Sequence, residues 1–249
     1  MLQVTDHEGL REIRMDRPPA NALNLEMVSL LRDAVGAAAN ECVPALVLSG
    51  REGMFSGGLD VPELLGEPRP VIADFWQKFF ALTHALADAP MPVAAAITGH
   101  APAGGAVLAL HCDYRVGALG NWKMGLNEVQ VGLAVPSTIL QALADQVGLR
   151  RARRLTTAGR MVEMAEALEI GLVDELVAAE TVVEHALDWC RELTRLPPIA
   201  MNETRRLGKA DFLARLAAAD DAATATEYWF SDETQAAMHA LVERLSGGA

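Results

Sequence analysis

Two short runs of small and aliphatic residues, each closed by a glycine, constrain the fold of this chain most strongly. Residues 45–50 (ALVLSG) and 93–99 (VAAAITG) contain no charged side chain, and such runs are typical of strands that are buried on both faces of a sheet. A helical pattern precedes each run. The first begins after Asn24, which can cap it, and the second spans about residues 71–88 and stops at the prolines that follow. The pattern predicts a repeated alternation of helices and buried strands.

The flanking segments extend this alternation in both directions. Residues 2–15 alternate weakly around a Glu-Gly pair at 8–9, which fits a short hairpin. Residues 106–111 favour a helix and residues 114–117 a further strand, so we predict repeated β-β-α-like turns rather than a doubly wound sheet. From Pro136 onward alanine, leucine and charged residues dominate. The last ~110 residues are therefore predicted to be mostly helical, and the boundary near Pro136 is predicted to be a change of layer and not a flexible linker.

Composition limits the classes of partner. The 249 residues carry 33 Asp and Glu against 21 Lys and Arg, a formal net charge of −12, which argues against nucleic acid and against an anionic membrane surface. A hydrophobic content of 51% is ample for a large buried core. The sequence contains no run of 18 apolar residues and no secretory-type start, so we expect a cytoplasmic protein.

Cysteine usage predicts neither a disulfide framework nor a metal site. Cys42, Cys112 and Cys190 are odd in number and far apart, so we expect reduced, buried thiols. His100 and His111 lie near Cys112 in the chain, but no ligand spacing joins them. Core packing is therefore the prediction for these two histidines and Cys112, and no metal ligand is assigned.

Two glycine-rich turns are the first candidate functional elements. Residues 55–60 (FSGGLD) follow an apolar strand and residues 102–105 (PAGG) open a helix, so both can bring backbone N–H groups close to a ligand. Leu59 is the candidate donor in the first turn. Two such donors on one carbonyl oxygen would stabilise the enolate that forms when a neighbouring carbon loses a proton. An ordinary strand-to-helix turn and close helix–strand packing are the alternative interpretations.

Glu128 is the candidate acid–base group. It lies in the stretch 124–132 (MGLNEVQVG), where Leu126, Val129 and Val131 can form apolar walls. Such walls would raise the pKa of the Glu128 carboxyl group and make it basic enough for proton transfer on carbon. A solvated surface glutamate at a turn is the alternative interpretation.

Three segments, residues 17–24 (RPPANALN), 55–60 and 97–105 (ITGHAPAGG), resemble the motifs of the crotonase, or enoyl-CoA hydratase/isomerase, superfamily. The similarity extends over nearly the whole chain. It implies an α/β, crotonase-like spiral of β-β-α units that contains the active site and spans residues 1–195. It further implies a C-terminal helical oligomerisation region at residues 196–249, and hence a homotrimer or a dimer of trimers.

A narrower similarity points to one branch of that superfamily. Residues 111–115 (HCDYR) and 125–128 (GLNE) resemble segments of the mitochondrial type of Δ3,Δ2-enoyl-CoA isomerase. The resemblance implies that the backbone N–H groups of Leu59 and Gly104 form an oxyanion hole and that Glu128 is the catalytic base. It also implies an acyl-CoA substrate, with coenzyme A as part of that substrate and no separate cofactor.

The resemblance also assigns substrate contacts. The implied substrate-binding residues lie in the opening motif, the first glycine turn and the Glu128 stretch: Ala20, Ala22, Gly57, Gly58, Asp60 and Asn127. The lysines that contact phosphate in some relatives are not matched, since Pro19 and Pro62 stand at those positions. Arg17 and Lys123, or a neighbouring subunit, are the remaining candidates for phosphate charge.

The chain departs from the hydratase pattern at Val107, where hydratases of the superfamily carry a second glutamate. Hydration is most readily achieved with two carboxylates, whereas one carboxylate can move a proton from C2 of a 3-enoyl thioester to C4. The sequence thus favours isomerisation in fatty acid β-oxidation. Another crotonase-type activity (hydration, decarboxylation or thioester hydrolysis) and a silent acyl-CoA-binding subunit are the alternatives.

Aromatic residues in two helices admit two interpretations. The helical cluster of Phe75, Trp76, Phe79 and Phe80 fits either the wall of an acyl pocket or the core. Trp229, in a late helix, is expected in the core, although the resemblance also allows it to line that pocket. The sequence does not decide between these interpretations.

Overall fold

The computed structural model describes residues 1–247 and begins with the predicted hairpin. Strand β1 (Leu2–His7) pairs antiparallel with β2 (Leu10–Met15). Glu8 and Gly9, which join them, both have positive φ angles of 54° and 95°. Two positive φ values suit a two-residue hairpin turn, whose twist matches that of the strands.

Two sheets contain the remaining strands. Their bounds are β3 (Leu46–Ser49), β4 (Gly53–Met54), β5 (Val93–Ile97), β6 (Gly99–Pro102), β7 (Tyr114–Ala118), β8 (Lys123–Gly125), β9 (Val162–Glu163) and β10 (Glu175–Val177). The larger sheet has the order β1-β2-β3-β5-β7-β10 and is parallel from β2 onward, and the smaller has the order β4-β6-β8-β9. Every residue of β3 and β5 is buried, as their apolar runs predict.

After the hairpin, three successive turns of the chain each contribute one strand to each sheet. A strand of the larger sheet is followed at once by a short strand of the smaller one, as β3 by β4, β5 by β6 and β7 by β8, and a helix comes next in the first two turns. The predicted β-β-α repeat is therefore confirmed.

Helices occur in each interval for which the sequence predicts one, namely after Asn24, at about residues 71–88, at about residues 106–111 and in the segment after Pro136. Their bounds are α1 (Leu25–Asn40), α2 (Val61–Leu64), α3 (Arg69–Ala87), α4 (Gly104–Leu110), α5 (Ser137–Val147), α6 (Leu149–Thr157), α7 (Met164–Glu169), α8 (Val182–Thr194), α9 (Pro198–Gly208), α10 (Ala210–Ala218), α11 (Asp221–Trp229) and α12 (Asp232–Ser246). The Asn24 side chain accepts a hydrogen bond from the Met27 N–H at 2.8 Å and so caps α1, as predicted.

The segment beyond Pro136 is mostly helical, as predicted, but it also supplies β9 and β10. β10 extends the larger sheet beside β7, and β9 extends the smaller sheet beside β8. Each is only two or three residues long. Such short strands form because a long sheet edge is already present, which the local pattern cannot reveal.

The prediction that all three thiols are buried is wrong for one of them. Cys112 and Cys190 are buried, but Cys42 is exposed, although none of the three is in a disulfide. Cys42 follows the end of α1 with φ of 55°, where the chain turns toward β3 at the surface. Separately, no helix within residues 1–247 is long and apolar enough to cross a membrane.

Candidate active site

The two glycine turns lie against each other with no space for side chains between them. A methyl group added at Gly104 would lie 3.3 Å from the Gly58 Cα, and one added at Gly105 would lie 2.5 Å from the Ser56 carbonyl oxygen. Gly58 itself has φ of 83°, a backbone conformation that residues other than glycine rarely adopt. Glycine is therefore needed at these positions so that the two backbones can approach closely. This contact joins two of the three motif segments, residues 55–60 and 97–105.

The start of α4 is held in an unusual backbone conformation. Ala103, immediately before the helix, has φ of 42° and ψ of −116°, which is strained for a non-glycine residue. Its N–H donates to the Gly125 carbonyl at 2.8 Å, so the strand that leads to Glu128 fixes the turn. Neither Gly104 nor Leu59 donates its N–H to a backbone acceptor within residues 1–247. Both donors are therefore available to a ligand oxygen.

The Glu128 carboxyl group is buried, and no charged side chain within residues 1–247 forms an ion pair with it. It begins a short 3-10 helix (Glu128–Val131) and the residue is only 8% exposed. Its Oε2 atom has no hydrogen-bond partner among residues 1–247. Burial raises the pKa of the carboxyl group to about 7, against a smaller opposing effect of its own backbone N–H. The alternative of a solvated surface glutamate is thus wrong.

The two glycine turns and the Glu128 segment meet at a cavity of about 260 Å³. Glycine, aliphatic and aromatic residues form most of its wall, together with one amide and one carboxyl group: Gly57, Leu59, Val61, Pro62, Trp76, Phe79, Pro102, Ala103, Gly104, Val107, Asn127, Glu128, Val131, Leu133, Ala134, Pro136, Ile139, Ala225, Leu241 and Leu245. Glu128 is the one ionisable side chain among these lining residues. Val107, which is 1% exposed, also faces this cavity.

The aromatic cluster is both core and wall. Trp76 and Phe79 line the cavity, whereas Phe75 is fully buried and does not. Trp229 is fully buried as well and packs edge-on against Trp76 with ring centroids 6.1 Å apart. The cluster is thus a continuous aromatic layer whose inner side belongs to the core and whose outer side bounds the cavity.

The predicted substrate-binding residues divide into two groups. Gly57 and Asn127 line the cavity, whereas Ala20, Ala22 and Gly58 are not among its lining residues. Gly58 belongs to the first glycine turn, and Ala20 lies beside that turn. The Ala20 carbonyl accepts the Gly57 N–H at 2.7 Å. Their roles stay predictions, but the contact explains why the opening motif and the first turn lie together.

Asp60 and Arg17 form an ion pair. The Arg17 guanidinium donates to the Asp60 carboxylate at 2.5 Å and to Glu63 at 2.7 Å. Asp60 also caps α2 by accepting the Glu63 N–H. Because both groups already have partners, Arg17 is a poor candidate for phosphate charge, and the Asp60 carboxylate serves the local structure whatever else it contacts.

Sequence reasoning missed Asn21, which ties the opening motif to the glycine turn. Asn21 is fully buried with φ of 49°, and its Nδ2 donates to the carbonyls of Met54 and Phe55, each at 3.1 Å. The asparagine itself was a signal in the sequence, because asparagine tolerates a positive φ angle better than most residues. Asn21 therefore positions the turn that presents Leu59.

His111, one of the two histidines near Cys112 in the chain, packs in the core. No group of three or more His, Cys, Asp or Glu side chains suited to a metal occurs within residues 1–247. His111 is buried, its Nδ1 lies 2.7 Å from the Val107 carbonyl oxygen, and burial lowers its pKa to about 4. It is a neutral core histidine, as predicted.

The geometry suits one type of chemistry. Two free N–H groups next to an apolar cavity can hold an oxygen that becomes negative, and a carboxyl group with a pKa of about 7 can take a proton from carbon. Such a site defines the class of enzymes that form an enolate from a carbonyl substrate. Comparisons with known proteins name the family within this class.

The enoyl-CoA hydratase/isomerase family model matches residues 5–247. Human mitochondrial enoyl-CoA delta isomerase 1 is 31% identical over 242 residues, which cover 95% of this chain and 80% of the human protein. A probable enoyl-CoA hydratase of Mycobacterium bovis is 36% identical over 201 residues, which cover 78% of this chain and 74% of that protein. The crystal structure of human mitochondrial delta3-delta2-enoyl-CoA isomerase has a TM-score of 0.94 at 29% identity and covers 99% of this chain and 98% of that chain.

The chain belongs to the enoyl-CoA hydratase/isomerase family. The predicted α/β crotonase fold is confirmed by the same comparisons. It is therefore an enzyme of the hydratase/isomerase type, and an acyl-CoA substrate is consistent with this family.

Proposed function

We propose that this enzyme is a Δ3,Δ2-enoyl-CoA isomerase of fatty acid β-oxidation, which converts a 3-enoyl-CoA into trans-2-enoyl-CoA. One observation carries the proposal: Glu128 is the single ionisable side chain among the cavity-lining residues, and Val107 is apolar where a second carboxylate would be needed for hydration. A single carboxylate is sufficient to move one proton between two carbons of a bound substrate.

The reaction needs one proton to leave C2 and one to arrive at C4. Ionised Glu128 takes the C2 proton, and the C–H electron pair extends over the thioester and the former double bond as a dienolate. The dienolate oxygen accepts hydrogen bonds from the Leu59 and Gly104 N–H groups. Protonated Glu128 then gives the proton to C4, the new double bond lies between C2 and C3, and the carboxylate is restored.

The environment of Glu128 matches this task. A base must be ionised at rest and still hold a proton well, which favours a pKa close to the working pH. Burial raises the pKa of Glu128 to about 7. The apolar wall also keeps water away from the intermediate, which would favour return of the proton to substrate over hydration.

Parallel assays with 3-enoyl-CoA and 2-enoyl-CoA esters of equal chain length test the proposal. We expect isomerisation of the 3-enoyl ester to exceed hydration of the 2-enoyl ester in kcat/KM by at least ~10²-fold, the contribution of one acid–base group. Faster hydration would identify a hydratase, as the name of the mycobacterial relative suggests for that protein. Binding of both esters without turnover would instead identify a silent acyl-CoA-binding subunit.

The proposed active assembly is a homotrimer or a dimer of trimers. Helices α9 and α10 bury no residue within the single chain, and Ile199 and Leu207 are 81% and 63% exposed. Apolar side chains on such a surface favour self-association. Light scattering should therefore give three or six times the 26.6 kDa chain mass, and a monomer would contradict the proposal.

A further inference from the structure

The C-terminal helices α11 and α12 hold both ends of the loop that follows Glu128. This loop, residues 132–136, connects the 3-10 helix of Glu128 to α5 and contributes Leu133, Ala134 and Pro136 to the cavity wall. α12 binds the start of the loop, and α11 binds its end. The two contacts come from residues more than 80 positions further along the chain.

Thr234 makes the contact at the start of the loop. Its Oγ1 donates to the Gly132 carbonyl oxygen at 2.7 Å, and Thr234 is fully buried. The Ser231 hydroxyl in turn donates to the Thr234 Oγ1 at 2.9 Å, which orients it. Gly132 ends the 3-10 helix that begins with Glu128, and the Leu133 N–H donates to the Glu128 carbonyl at 3.1 Å. Thr234 is thus joined to the Glu128 backbone through a single turn.

Asp221 makes the contact at the end of the loop. Its carboxylate accepts the Thr138 N–H at 3.0 Å and the hydroxyl groups of Ser137 and Thr138. α5 begins after Pro136, which cannot supply a side-chain cap. Asp221 therefore caps α5 from a distant helix, and the negative charge is favourable at that helix end.

The Glu128 carboxylate depends on this backbone for its position. Oε2 has no hydrogen-bond partner within residues 1–247, and the hydrogen bond that lowers the pKa of the carboxyl group comes from the backbone N–H of Glu128 itself. The direction of the side chain is set by the turn from which it extends and by the apolar residues around it. Proton transfer is sensitive to such direction, and a misplacement of about 1 Å can cost ~10²-fold in rate.

We propose that Thr234 is a positioning residue for Glu128, and that the C-terminal helices, through Thr234 and Asp221, hold the Glu128 turn and the adjoining cavity wall in the reactive arrangement. This inference rests on the proposed function of Glu128 as the base. It assigns the C-terminal segment a role in the site of its own chain, beyond any role in assembly. Leu241 and Leu245 of α12, which line the same cavity, belong to the same arrangement.

Thr234→Val tests the inference because it keeps the shape and removes the hydroxyl. We expect kcat for isomerisation to fall roughly 10- to 100-fold with little change in KM. Thr234→Ser keeps the hydroxyl and should restore most of kcat. Thr226→Val is the matched control: the Thr226 hydroxyl donates to the Ala222 carbonyl at 2.8 Å within α11 and is likewise buried, and its loss should leave kcat unchanged.

A second readout does not depend on turnover. The pKa of the Glu128 carboxyl group, followed by carbon NMR, should move from about 7 toward its ordinary value of 4.5 in Thr234→Val, because a loosened turn admits water. This shift is expected even if the enzyme proves to be a hydratase, so the two proposals can fail separately. Should Thr234→Val not fold, Asp221→Asn tests the other contact with the same two readouts.

Two results would overturn the inference. One is a folded Thr234→Val protein with wild-type kcat and an unchanged Glu128 pKa. The other is an equal effect from Thr226→Val, which would indicate general loosening of the C-terminal helices rather than a specific contact with the Glu128 turn.

Discussion

Replacing Glu128 by Gln is expected to lower kcat for 3-enoyl-CoA isomerisation by ~10²–10⁴-fold, the range typical of a positioned acid–base group. The amide has nearly the same shape as the carboxyl group but cannot accept the C2 proton. Among the cavity-lining residues no other ionisable side chain can take over this role. Steady-state kinetics at pH 8, where wild-type Glu128 is ionised, measures the loss.

The same substitution should not unfold the protein. Burial raises the pKa of Glu128 above its ordinary 4.5 to about 7, so protonation stabilises the folded state below pH 4.5, and this contribution is lost as the pH rises through 7. Glutamine does not ionise, and the variant is therefore expected to be more stable than wild type at pH 8, by at most ~3 kcal/mol. If the Glu128→Gln variant loses activity but is as stable as wild type or more stable, the loss of activity is due to the chemistry of Glu128 and not to unfolding.

A matched control for this substitution is Glu52→Gln, since Glu52 is an exposed glutamate of the same chemistry. The kcat of the Glu52→Gln variant should equal that of wild type. Wild-type kcat in Glu128→Gln would show that another group is the base and would invalidate the proposed mechanism.

Gly105→Ala is expected to lower kcat by ~10²–10³-fold, which is the cost of losing one oxyanion donor. The added methyl group would lie 2.5 Å from the Ser56 carbonyl oxygen, a backbone atom that cannot move alone. The two glycine turns must therefore separate, and the proposed oxyanion hole of the Leu59 and Gly104 N–H groups would lose its geometry. The same overpacking should lower the free energy of unfolding by about 1–3 kcal/mol.

Gly36→Ala is the control for a glycine substitution. Gly36 lies inside α1, and apart from its chain neighbours and the backbone of α1 itself, no atom of residues 1–247 would lie within 4 Å of an added methyl group. Alanine there should raise the free energy of unfolding by about 0.5–1 kcal/mol and leave kcat unchanged. If Gly105→Ala loses stability but keeps wild-type kcat, the contact between the turns is structural and the oxyanion-hole assignment is wrong.

Much of the fold is predictable because its central strands have extreme patterns. The runs that became β3 and β5 contain no charged side chain, and Asn24 and the prolines after α3 mark helix ends. β9 and β10 were not predicted, since two or three residues carry no periodicity and depend on an edge formed elsewhere. The exposure of Cys42 was missed because cysteine is usually buried and the turn after α1 gives no local signal.

Within the site, too, local features could be predicted from the sequence, whereas residues contributed by a distant helix could not. The glycine turns and Glu128 are local features, and the structure brings these elements together at one cavity. Leu241, Leu245 and Thr234 were missed because they reach the site from a helix about 100 residues further along the chain, with the pattern of an ordinary amphipathic helix. Only the packing of α12 against the Glu128 turn reveals them.

The pH dependence of kcat/KM for isomerisation by the wild-type enzyme tests most directly whether Glu128 is the single acid–base group of the cavity. This profile reports ionisations of the free enzyme. We predict one rising limb with a midpoint at about pH 7, set by the Glu128 carboxyl group, and a plateau up to pH 9. A midpoint near the ordinary carboxyl value of 4.5, or a bell-shaped profile that requires a second catalytic group, would contradict the account.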